Sequence, residues 1–508
     1  MFRTFLAEKD TYITDRVIRH QRKQNSNVGY AGTLDLYKLY GITYSGTVPN
    51  NELSRILVKF DLSALQELHV SASIDISDPS FNCTVNMYDV YGGQPTPSNF
   101  IVELFPLSRS FDEGIGRDVV LLQDVDAANF ITASTNGIVP TTWTTSGANN
   151  KGILGNSTAD VLTSGTLGGG TVLQLWSTQS FSKGTEDMSI DVTRVVSATL
   201  AGFIPDYGFR LSFAESQEND SQTRFVKRFG SRHASLRRYR PKLVVKYDDS
   251  ILDNQNNFVF DSSGTIFLYN YGPLGLTNIV SGTNLLPVTG SNCILLKLTT
   301  HVTGVGDYTL TFTGSQVTRA TQNVAGVYSA SFLLNSSNAN YRIKLLESGS
   351  AEFTQVWSSV DNTIGYLTSS GFVVNPINRT SYVANPTTRL LTVTNIESEY
   401  STIDVAHLRL FVQDTSERLK LKRVPHEAKS KTFREAYYSI RDTLTGHVPV
   451  SFDKAHKSTR LSTDSNGMYF TVYMENLDVE GLYTIDILVR ESNSDKIFRD
   501  VSTPFRVK

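Results

Sequence analysis

The stretch of residues 54–65, SRILVKFDLSAL, constrains the fold of this chain most strongly. Ile56, Val58 and Phe60 alternate with residues that point to the other side, which is the periodicity of a β-strand with one face in a hydrophobic core. Residues 240–247 alternate in the same way after a proline, which is tolerated at the start or the edge of a strand. We therefore predict that these stretches are the first long strand and the closing strand of one β-sandwich.

The length and composition of the chain favour several domains built from strands and turns. At 508 residues it exceeds what one hydrophobic core usually serves, so about three domains of roughly 150 residues are expected. Thr, Ser, Asn and Gly are abundant, and long stretches of helix-forming residues are missing. The formal net charge of -2 gives the whole molecule no preference for nucleic acid or an anionic membrane. The predicted fold class is all-β, with tandem antiparallel β-sandwiches.

Polar, turn-rich segments divide the chain into three predicted domains. Residues 1–248 are predicted to form a jelly-roll-like β-sandwich. Residues 258–376 and 380–508 are predicted to form two smaller Ig-like sandwiches, because short strands recur there with Gly, Asn and Ser turns between them.

Four local segments carry more specific expectations. Residues 191–200 have apolar side chains at helical spacing, and residues 124–130 begin with an aspartate that could cap a short helix. Residues 341–346, YRIKLL, alternate and are predicted as a strand. The segment 132–170 is rich in Gly, Thr, Ser and Asn and is predicted as a long surface loop, a kind of loop that is usually functional.

Short motifs in the first half of the chain occur in an order that resembles the DNRLRE-type β-sandwich modules. They are Asp10-Thr11-Tyr12, Asn27-Val28-Gly29, residues 55–63, residues 191–196, and Ser231-Arg232 followed by residues 240–247. Modules of this family occur in secreted and surface proteins, some of them similar to carbohydrate-binding modules, and in structural proteins of tailed phages. The resemblance therefore implies a β-sandwich used for binding or assembly.

The N-terminus and the cysteines indicate synthesis in a cytosol. Charged residues follow Met1 within a few positions, so the apolar core of a signal peptide is missing. No apolar run reaches the 18 residues of a membrane-spanning helix. Cys83 and Cys293 are predicted to be free thiols rather than a disulfide or metal pair. Together with the resemblance, these features lead us to expect a virion protein made in the host cytoplasm.

The sharpest electrostatic feature is a run of Lys and Arg between positions 224 and 246 that no acidic residue interrupts. Its arginines Arg224, Arg228, Arg232, Arg237 and Arg238 are candidates for binding an acidic protein partner. A nucleic-acid groove would need them on one face, whereas the run crosses two predicted strands and a loop. Pairing with acidic residues of the same domain is the remaining alternative.

A second basic run includes Lys420, Lys422 and Arg423, which alternate with leucines. This pattern predicts an edge strand whose outward charges prevent unwanted sheet pairing. The same charges could instead bind a neighbouring subunit, and these three residues are therefore partner-binding candidates too.

Trp143 is the one candidate for contacting a glycan. Sugar sites present exposed aromatic faces, and this tryptophan lies alone in the Gly- and Thr-rich loop. The alternative is that it packs inward and anchors that loop.

The sequence contains no motif of a catalytic or metal site. The histidines lack metal-ligand spacing, and there is no nucleophile elbow or phosphate-binding loop, so we expect no cofactor and no enzymatic activity. Asp112 and Glu113 with Asp118, and Asp124 with Asp126, could offer oxygen ligands to calcium, but a complete calcium loop is missing. A carboxylate pair assembled from separate loops, as in a glycosidase, remains open.

These observations predict a structural component of a tailed-phage virion that makes protein–protein assembly contacts, most simply as a homo-oligomer. Its place in the capsid, neck, tail or baseplate is not encoded in these patterns. The alternative hypothesis is a carbohydrate- or receptor-binding module of a tail fibre or surface protein.

Overall fold

The computed structural model describes residues 1–19, 21–42, 49–71, 73–90, 93, 96–120, 126–135, 139–166, 170–273, 275–282, 285–319, 322–376, 389–414, 430–491 and 494–508. They fall into two compact units. The N-terminal unit comprises Phe2–His69 and Ile76–Lys246, and the C-terminal unit comprises Met1, Val70–Asp75 and Tyr247–Lys508. The chain is all-β and dominated by antiparallel sheets, which confirms the predicted fold class.

The N-terminal unit contains short and long strands with few helices between them. Its strands are β1 (Phe2–Thr14), β2 (Val17–Ile18), β3 (Gln21–Arg22), β4 (Thr33–Ile42), β5 (Pro49–Phe60), β6 (Asn82–Met87), β7 (Phe100–Pro106), β8 (Thr132–Thr135), β9 (Pro140–Thr142), β10 (Lys151–Ile153), β11 (Val161–Thr166), β12 (Val172–Gln174), β13 (Ser177–Phe181), β14 (Met188–Asp191), β15 (Phe209–Phe213), β16 (Arg224–Gly230) and β17 (Lys242–Lys246). Its helices are α1 (Ser63–Val70), α2 (Thr193–Leu200), α3 (Glu215–Glu218) and the 3-10 helix Arg237–Tyr239.

Strand β1 connects the two layers of the main sheet. Residues Phe2 to Leu6 pair with β17. From Ala7 onward the strand pairs with β5, and the register of this pairing shifts between Ala7 and Lys9. Strand order in this sheet is β13-β7-β15-β5-β1-β17-β6-β14, with β4 and β16 branching from β5. The two end strands are bridged by Gln179, which accepts a hydrogen bond from Ser189 N at 2.7 Å and donates to Asp187 O at 2.9 Å. The sheet is therefore nearly closed on itself.

Strand β5, from which the fold was predicted, is buried on both faces rather than one. Ile56, Val58 and Phe60 are buried as expected, but Leu57 is buried as well. Leu57 belongs to a second apolar cluster that also contains Phe130 and Trp143. The predicted surface loop 132–170 is thus a layer packed over the sheet, which explains why the strand lacks a polar face.

The helix predictions were partly right. Helix α2 forms where the helical spacing indicated, with Val195, Val196, Ala198 and Leu200 buried. The described residues 126–130 are not helical, and the start of that predicted helix lies outside the described residues. Helix α1 was not predicted; it begins at Ser63, whose backbone N–H donates to the Asp61 carboxylate at 2.9 Å.

The C-terminal unit contains the remaining strands and one α-helix. Its strands are β18 (Ser263–Tyr269), β19 (Tyr271–Gly272), β20 (Gly275–Leu276), β21 (Val280–Ser281), β22 (Leu286–Pro287), β23 (Ile294–Val302), β24 (Gly306–Arg319), β25 (Gln322–Leu333), β26 (Ala351–Ser358), β27 (Gly365–Val374), β28 (Arg389–Val393), β29 (Glu399–Tyr400), β30 (Val405–Asp414), β31 (Ala436–Asp442), β32 (Ser462–Asp464), β33 (Gly467–Tyr473), β34 (Leu482–Glu491), β35 (Ser494–Phe498) and β36 (Phe505–Val507). Its helices are α4 (Ala339–Ser348) and the 3-10 helix Met474–Asn476.

A six-stranded sheet, ordered β18-β25-β24-β23-β26-β27, surrounds the first core of this unit. The long strand β24 pairs with β23 along its first part and with β25 along its last part, so it connects the two layers. Between them lies an aromatic core in which Phe332 stacks on Phe258 and Phe312 at centroid distances of 4.7 and 4.5 Å.

Strands β19 and β20 form one small hairpin and β21 and β22 form another, whereas β28–β36 form two facing sheets. One is ordered β28-β30-β33-β32, and the other is ordered β29-β36-β34-β31 with β35 beside β34. Tyr438 on β31 stacks on Phe470 on β33 at 4.7 Å, so aromatic packing joins the sheets. The predicted second and third domains both lie in this C-terminal unit, and the linker predicted between them lies in residues outside those described.

The prediction of a strand over residues 341–346 was wrong, because this segment lies in α4. Asn338 caps the helix by accepting a hydrogen bond from Asn340 N, and Gly349 ends it with φ of 72°. Tyr341 is buried and Leu345 is packed against the same core one turn later. The alternation of Tyr341, Ile343 and Leu345 resembles a strand, but the two caps decide for a helix.

Candidate functional site

Three arginines of the basic run form ion pairs within the N-terminal unit. Arg224 pairs with Asp220 at 2.6 Å, and Arg228 makes two hydrogen bonds of 2.7 Å to Asp35. Arg232 donates to both carboxylate oxygens of Glu113, at 2.5 and 2.6 Å. Bidentate pairs of this kind fix the guanidinium in place.

The other basic candidates are placed differently. Arg237 and Arg238 lie half-buried in the 3-10 helix, where the Arg238 guanidinium lies 4.9 Å from the centroid of the Tyr239 ring. Lys420, Lys422 and Arg423 lie outside the described residues. Binding of an acidic partner by either basic run stays a prediction.

Trp143 is buried and serves as a loop anchor. It is 4% exposed, lies in the apolar cluster under the loop, and donates from Nε1 to Asn129 O at 3.0 Å. Since the side chain is almost fully enclosed, the ring offers no stacking platform to a sugar in this structure.

Asp10 lies at the centre of a buried polar cluster in the same unit. Its Oδ2 accepts from Arg232 N at 2.5 Å, whereas Oδ1 is buried without a hydrogen-bond partner among the described residues. Burial raises the pKa of Asp10 to about 8, and the nearby Glu113 carboxylate adds to the rise. Asp10 is completely buried and holds a proton at neutral pH, so it supports the fold rather than contacting a solute.

Asn27 fastens the loops around this cluster. Its Nδ2 donates to Glu113 O and Ala128 O, both at 2.7 Å, and its Oδ1 accepts from Gly29 N at 3.0 Å and Gly116 N at 3.1 Å. A Cβ atom at Gly116 would lie 2.0 Å from Asn27 O, so only glycine fits there. The Asn-x-Gly motif noted in the sequence is therefore structural.

A second charged cluster supports the layer packed over β5. Arg55 donates two hydrogen bonds to Glu218 and one to Gly147 O, and Arg210 donates to Ala148 O at 2.9 Å. Burial lowers the pKa of Arg210 to about 9, with a further contribution from the Arg55 charge. Arg210 also donates to Ser212 Oγ at 3.0 Å and to Asn149 Oδ1 at 3.4 Å, so both guanidinium groups are held by partners within the unit.

The C-terminal unit contains an open cleft of about 870 Å³. It is lined by β18, β26 and β27 of the six-stranded sheet and by β30 and β33 of the four-stranded sheet. This volume lies in the range of roughly 300–1,000 Å³ that small-molecule pockets occupy. Two other concavities of the same unit are smaller, at about 410 and 200 Å³.

Aromatic side chains form one wall of this cleft. Phe267 and Tyr269 lie two residues apart on β18, so they share one face of that strand, and Tyr271 follows two residues later at the start of β19. Their rings lie in a row, with centroid distances of 6.3 and 6.5 Å. Tyr271 is 72% exposed, and Tyr469 on β33 is half-buried and lines the same cleft.

The charges in the cleft balance each other. Arg409 makes hydrogen bonds of 2.7 and 3.2 Å to both oxygens of Asp464, and this pairing raises the pKa of Arg409. Burial raises the pKa of Asp253 to about 7, and the Asp464 charge adds to the rise. His407 Nδ1 lies 3.0 Å from Thr471 Oγ1. The lining is therefore polar and close to neutral.

Two buried polar atoms, on residues that line the cleft, lack a partner among the described residues. They are the phenolic oxygen of Tyr269 and Oε1 of Gln355, a side chain that is only 5% exposed. Buried polar groups in proteins are nearly always hydrogen-bonded, so each such atom calls for an explanation. Burial also raises the pKa of Tyr269, which keeps its phenol protonated.

Sequence reasoning did not identify this cleft. The spacing of Phe267, Tyr269 and Tyr271 was the available signal, because it places three aromatic rings on one strand face. The facing residues His407 and Arg409 come from a strand more than a hundred positions later, and no sequence pattern predicts that they meet the tyrosines.

Comparison with known proteins assigns this chain to no family. No protein-family model and no curated protein matches the chain. In the described part of the chain, no helix is long and apolar enough to cross a membrane. Across those same ranges, no group of three or more His, Cys, Asp and Glu side chains could hold a metal ion.

Proposed function

We propose that this chain is a non-enzymatic structural component of a tailed-phage virion, whose sheets make contacts with copies of itself and with other virion proteins. The resemblance to DNRLRE-type modules supports this role. Three of the residues that carry the resemblance, Asp10, Asn27 and Arg55, are buried and hold loops in place. A scaffold needs such rigid surfaces for repeated contacts.

The observation that carries the proposal is an apolar surface on two small hairpins of the C-terminal unit, β19–β20 and β21–β22. The hairpin patch consists of Leu276, Val280, Leu285 and Leu286, which are exposed within 11 successive residues. Leu285 and Leu286 are 70% and 62% exposed. Large contiguous apolar patches on a protein surface are typical of protein–protein contacts, and these four exposed side chains lie close together along the chain.

Mass spectrometry of purified particles tests the proposal. If the gene lies in a phage genome, the chain should be present in particles from that phage at tens of copies each. Its absence from particles, or hydrolysis of a polymer by the purified chain that is lost on changing one carboxylate, would overturn the proposal.

Self-association tests the hairpin patch itself. Light scattering across a concentration series should give a larger mass for the natural chain than for Leu285→Ser/Leu286→Ser. The matched control is Leu346→Ser, since Leu346 is 83% exposed on α4 but lies outside the patch. Equal masses for all three proteins would show that the patch makes no contact between copies.

A further inference from the structure

The cleft of the C-terminal unit combines three features that together select a ligand. It has aromatic faces at Tyr271 and Tyr469, unpartnered polar atoms at Tyr269 and Gln355, and an ion pair, Arg409–Asp464, at its wall. We propose that this cleft binds a neutral oligosaccharide. The proposal does not rest on the assembly role, because the hairpin patch and the cleft share no residue.

The aromatic faces fit the apolar side of a sugar ring. The Tyr271 ring is mostly exposed, and the row of rings leading to it through Tyr269 gives it a fixed orientation. A pyranose presents C–H groups on its faces and hydroxyl groups on its rim. A tyrosine therefore covers the face, while the polar side chains beside it remain available to the hydroxyls.

The two unpartnered atoms fit hydroxyl groups. Gln355 Oε1 can only accept a hydrogen bond, and the Tyr269 hydroxyl can donate one and accept another. A sugar hydroxyl can both donate and accept, so it satisfies either atom. The Arg409–Asp464 pair offers further donors and acceptors, as planar groups held in register by two hydrogen bonds.

The electrostatics favour an uncharged ligand. The guanidinium of Arg409 is already neutralised by Asp464, so the wall has no free cation that would select a phosphate or carboxylate. Burial favours the protonated form of Asp253, which lowers the negative charge at the floor of the cleft. An extended peptide would add to an edge strand through its backbone and would leave the side-chain atoms of Tyr269 and Gln355 without partners.

A glycan array probed with the full chain, followed by calorimetric titration of the best neutral oligosaccharide, tests the proposal. Tyr269→Phe removes one hydroxyl and should weaken binding by about two- to tenfold, the effect of one neutral hydrogen bond. Tyr271→Ala removes the stacking face and should weaken binding by about tenfold or more.

The matched control is Tyr341→Phe. The Tyr341 hydroxyl is also buried without a partner among the described residues, but it lies in the aromatic core outside the cleft. This variant should bind as the natural chain does. Tyr269→Phe should keep the melting temperature or raise it, because it removes an unsatisfied polar group.

Three outcomes would overturn the proposal. The first is that no neutral glycan binds with a dissociation constant below about 10 mM, roughly the weak end of measurable affinity. The second is binding that neither Tyr269→Phe nor Tyr271→Ala weakens. The third is a preference for anionic glycans or for peptides that the cleft variants abolish, which would assign the cleft to another ligand class.

Discussion

Arg55 and Glu218 form a buried bidentate ion pair, with Nε to Oε1 at 3.0 Å and Nη2 to Oε2 at 2.6 Å. Both side chains are almost fully enclosed, with exposed fractions of 3% and 7%. Such a pair contributes little net stability compared with apolar residues, but losing one partner leaves the other charge buried and uncompensated.

We therefore expect Arg55→Met to lower the free energy of unfolding by about 3–5 kcal/mol, measured by urea titration. The double variant Arg55→Met/Glu218→Met should recover part of that loss. Lys59→Met is the matched control on the same strand, because the Lys59–Glu8 pair is partly exposed and should contribute about 1 kcal/mol or less. Equal losses for the single and the double variant would contradict this account.

Asn27→Ala should destabilise the N-terminal unit by about 3 kcal/mol or more. The substitution leaves two backbone N–H groups and two carbonyls without their partner, and each unsatisfied buried group costs roughly 1–3 kcal/mol. Asn219→Ala, at an exposed position of the same unit, is the control. A loss below about 1 kcal/mol, near the value of one ordinary hydrogen bond, would mean that the loops do not depend on Asn27.

The protonated state of Asp10 predicts a pH dependence of stability. Because its pKa rises from 3.8 to about 8 on folding, the folded unit binds more protons than the unfolded chain between these values. The stabilisation is complete below pH 3.8 and is lost as the pH rises through 8, with a slope of at most about 1.4 kcal/mol per pH unit.

Unfolding measured from pH 4 to 9 should show this decline in the natural chain and a flatter profile in Asp10→Asn. Asp126→Asn, at an exposed aspartate of the same unit, should follow the natural profile. The interpretation fails if Asp10→Asn and the natural chain have parallel profiles.

Trp143→Ala should reduce stability by about 3–5 kcal/mol, since it opens a cavity in the apolar cluster between loop and sheet. Trp143→Phe keeps most of the apolar volume and should cost less, although it loses the Nε1 hydrogen bond to Asn129 O. Thermal unfolding and the glycan titration should be run on the same samples. A stable Trp143→Ala protein that no longer binds glycan would instead support the hypothesis that Trp143 contacts the glycan directly.

The C-terminal end of α4 depends on a left-handed glycine. Gly349 has φ of 72°, and Gly349→Ala should cost about 1 kcal/mol because a side chain is strained there even though space is available. Gly365→Ala is the control, since Gly365 also has open space around it but no positive φ. Urea titration compares the two, and equal effects would show that backbone conformation is not the cause.

The pattern of the chain alone was enough to predict the fold class and strands such as β5, although the same kind of alternation wrongly predicted a strand over residues 341–346. Ile56, Val58 and Phe60 recur with a period of two, which predicts a strand with a buried face; that the other face of β5 is buried as well was not encoded in this period. Helix α2 could also be predicted from the sequence, because Val195, Val196 and Leu200 recur at helical spacing. Local periodicity reflects the geometry of the backbone, so it can be recognised without knowing which segments pack against it.

Tertiary structure decided which residues of the loops are buried and which charges are paired. Trp143 and Arg55 become interior residues only because the loop 132–170 folds over β5, a contact between segments far apart in sequence. The basic run had several possible partners: the pairing of β16 with β4 places Asp35 beside Arg228, and the fold brings Glu113 from a distant loop to Arg232. The cleft formed by Tyr271 and Arg409 has the same origin, since burial and pairing are set by the packing of distant strands and no local pattern encodes them.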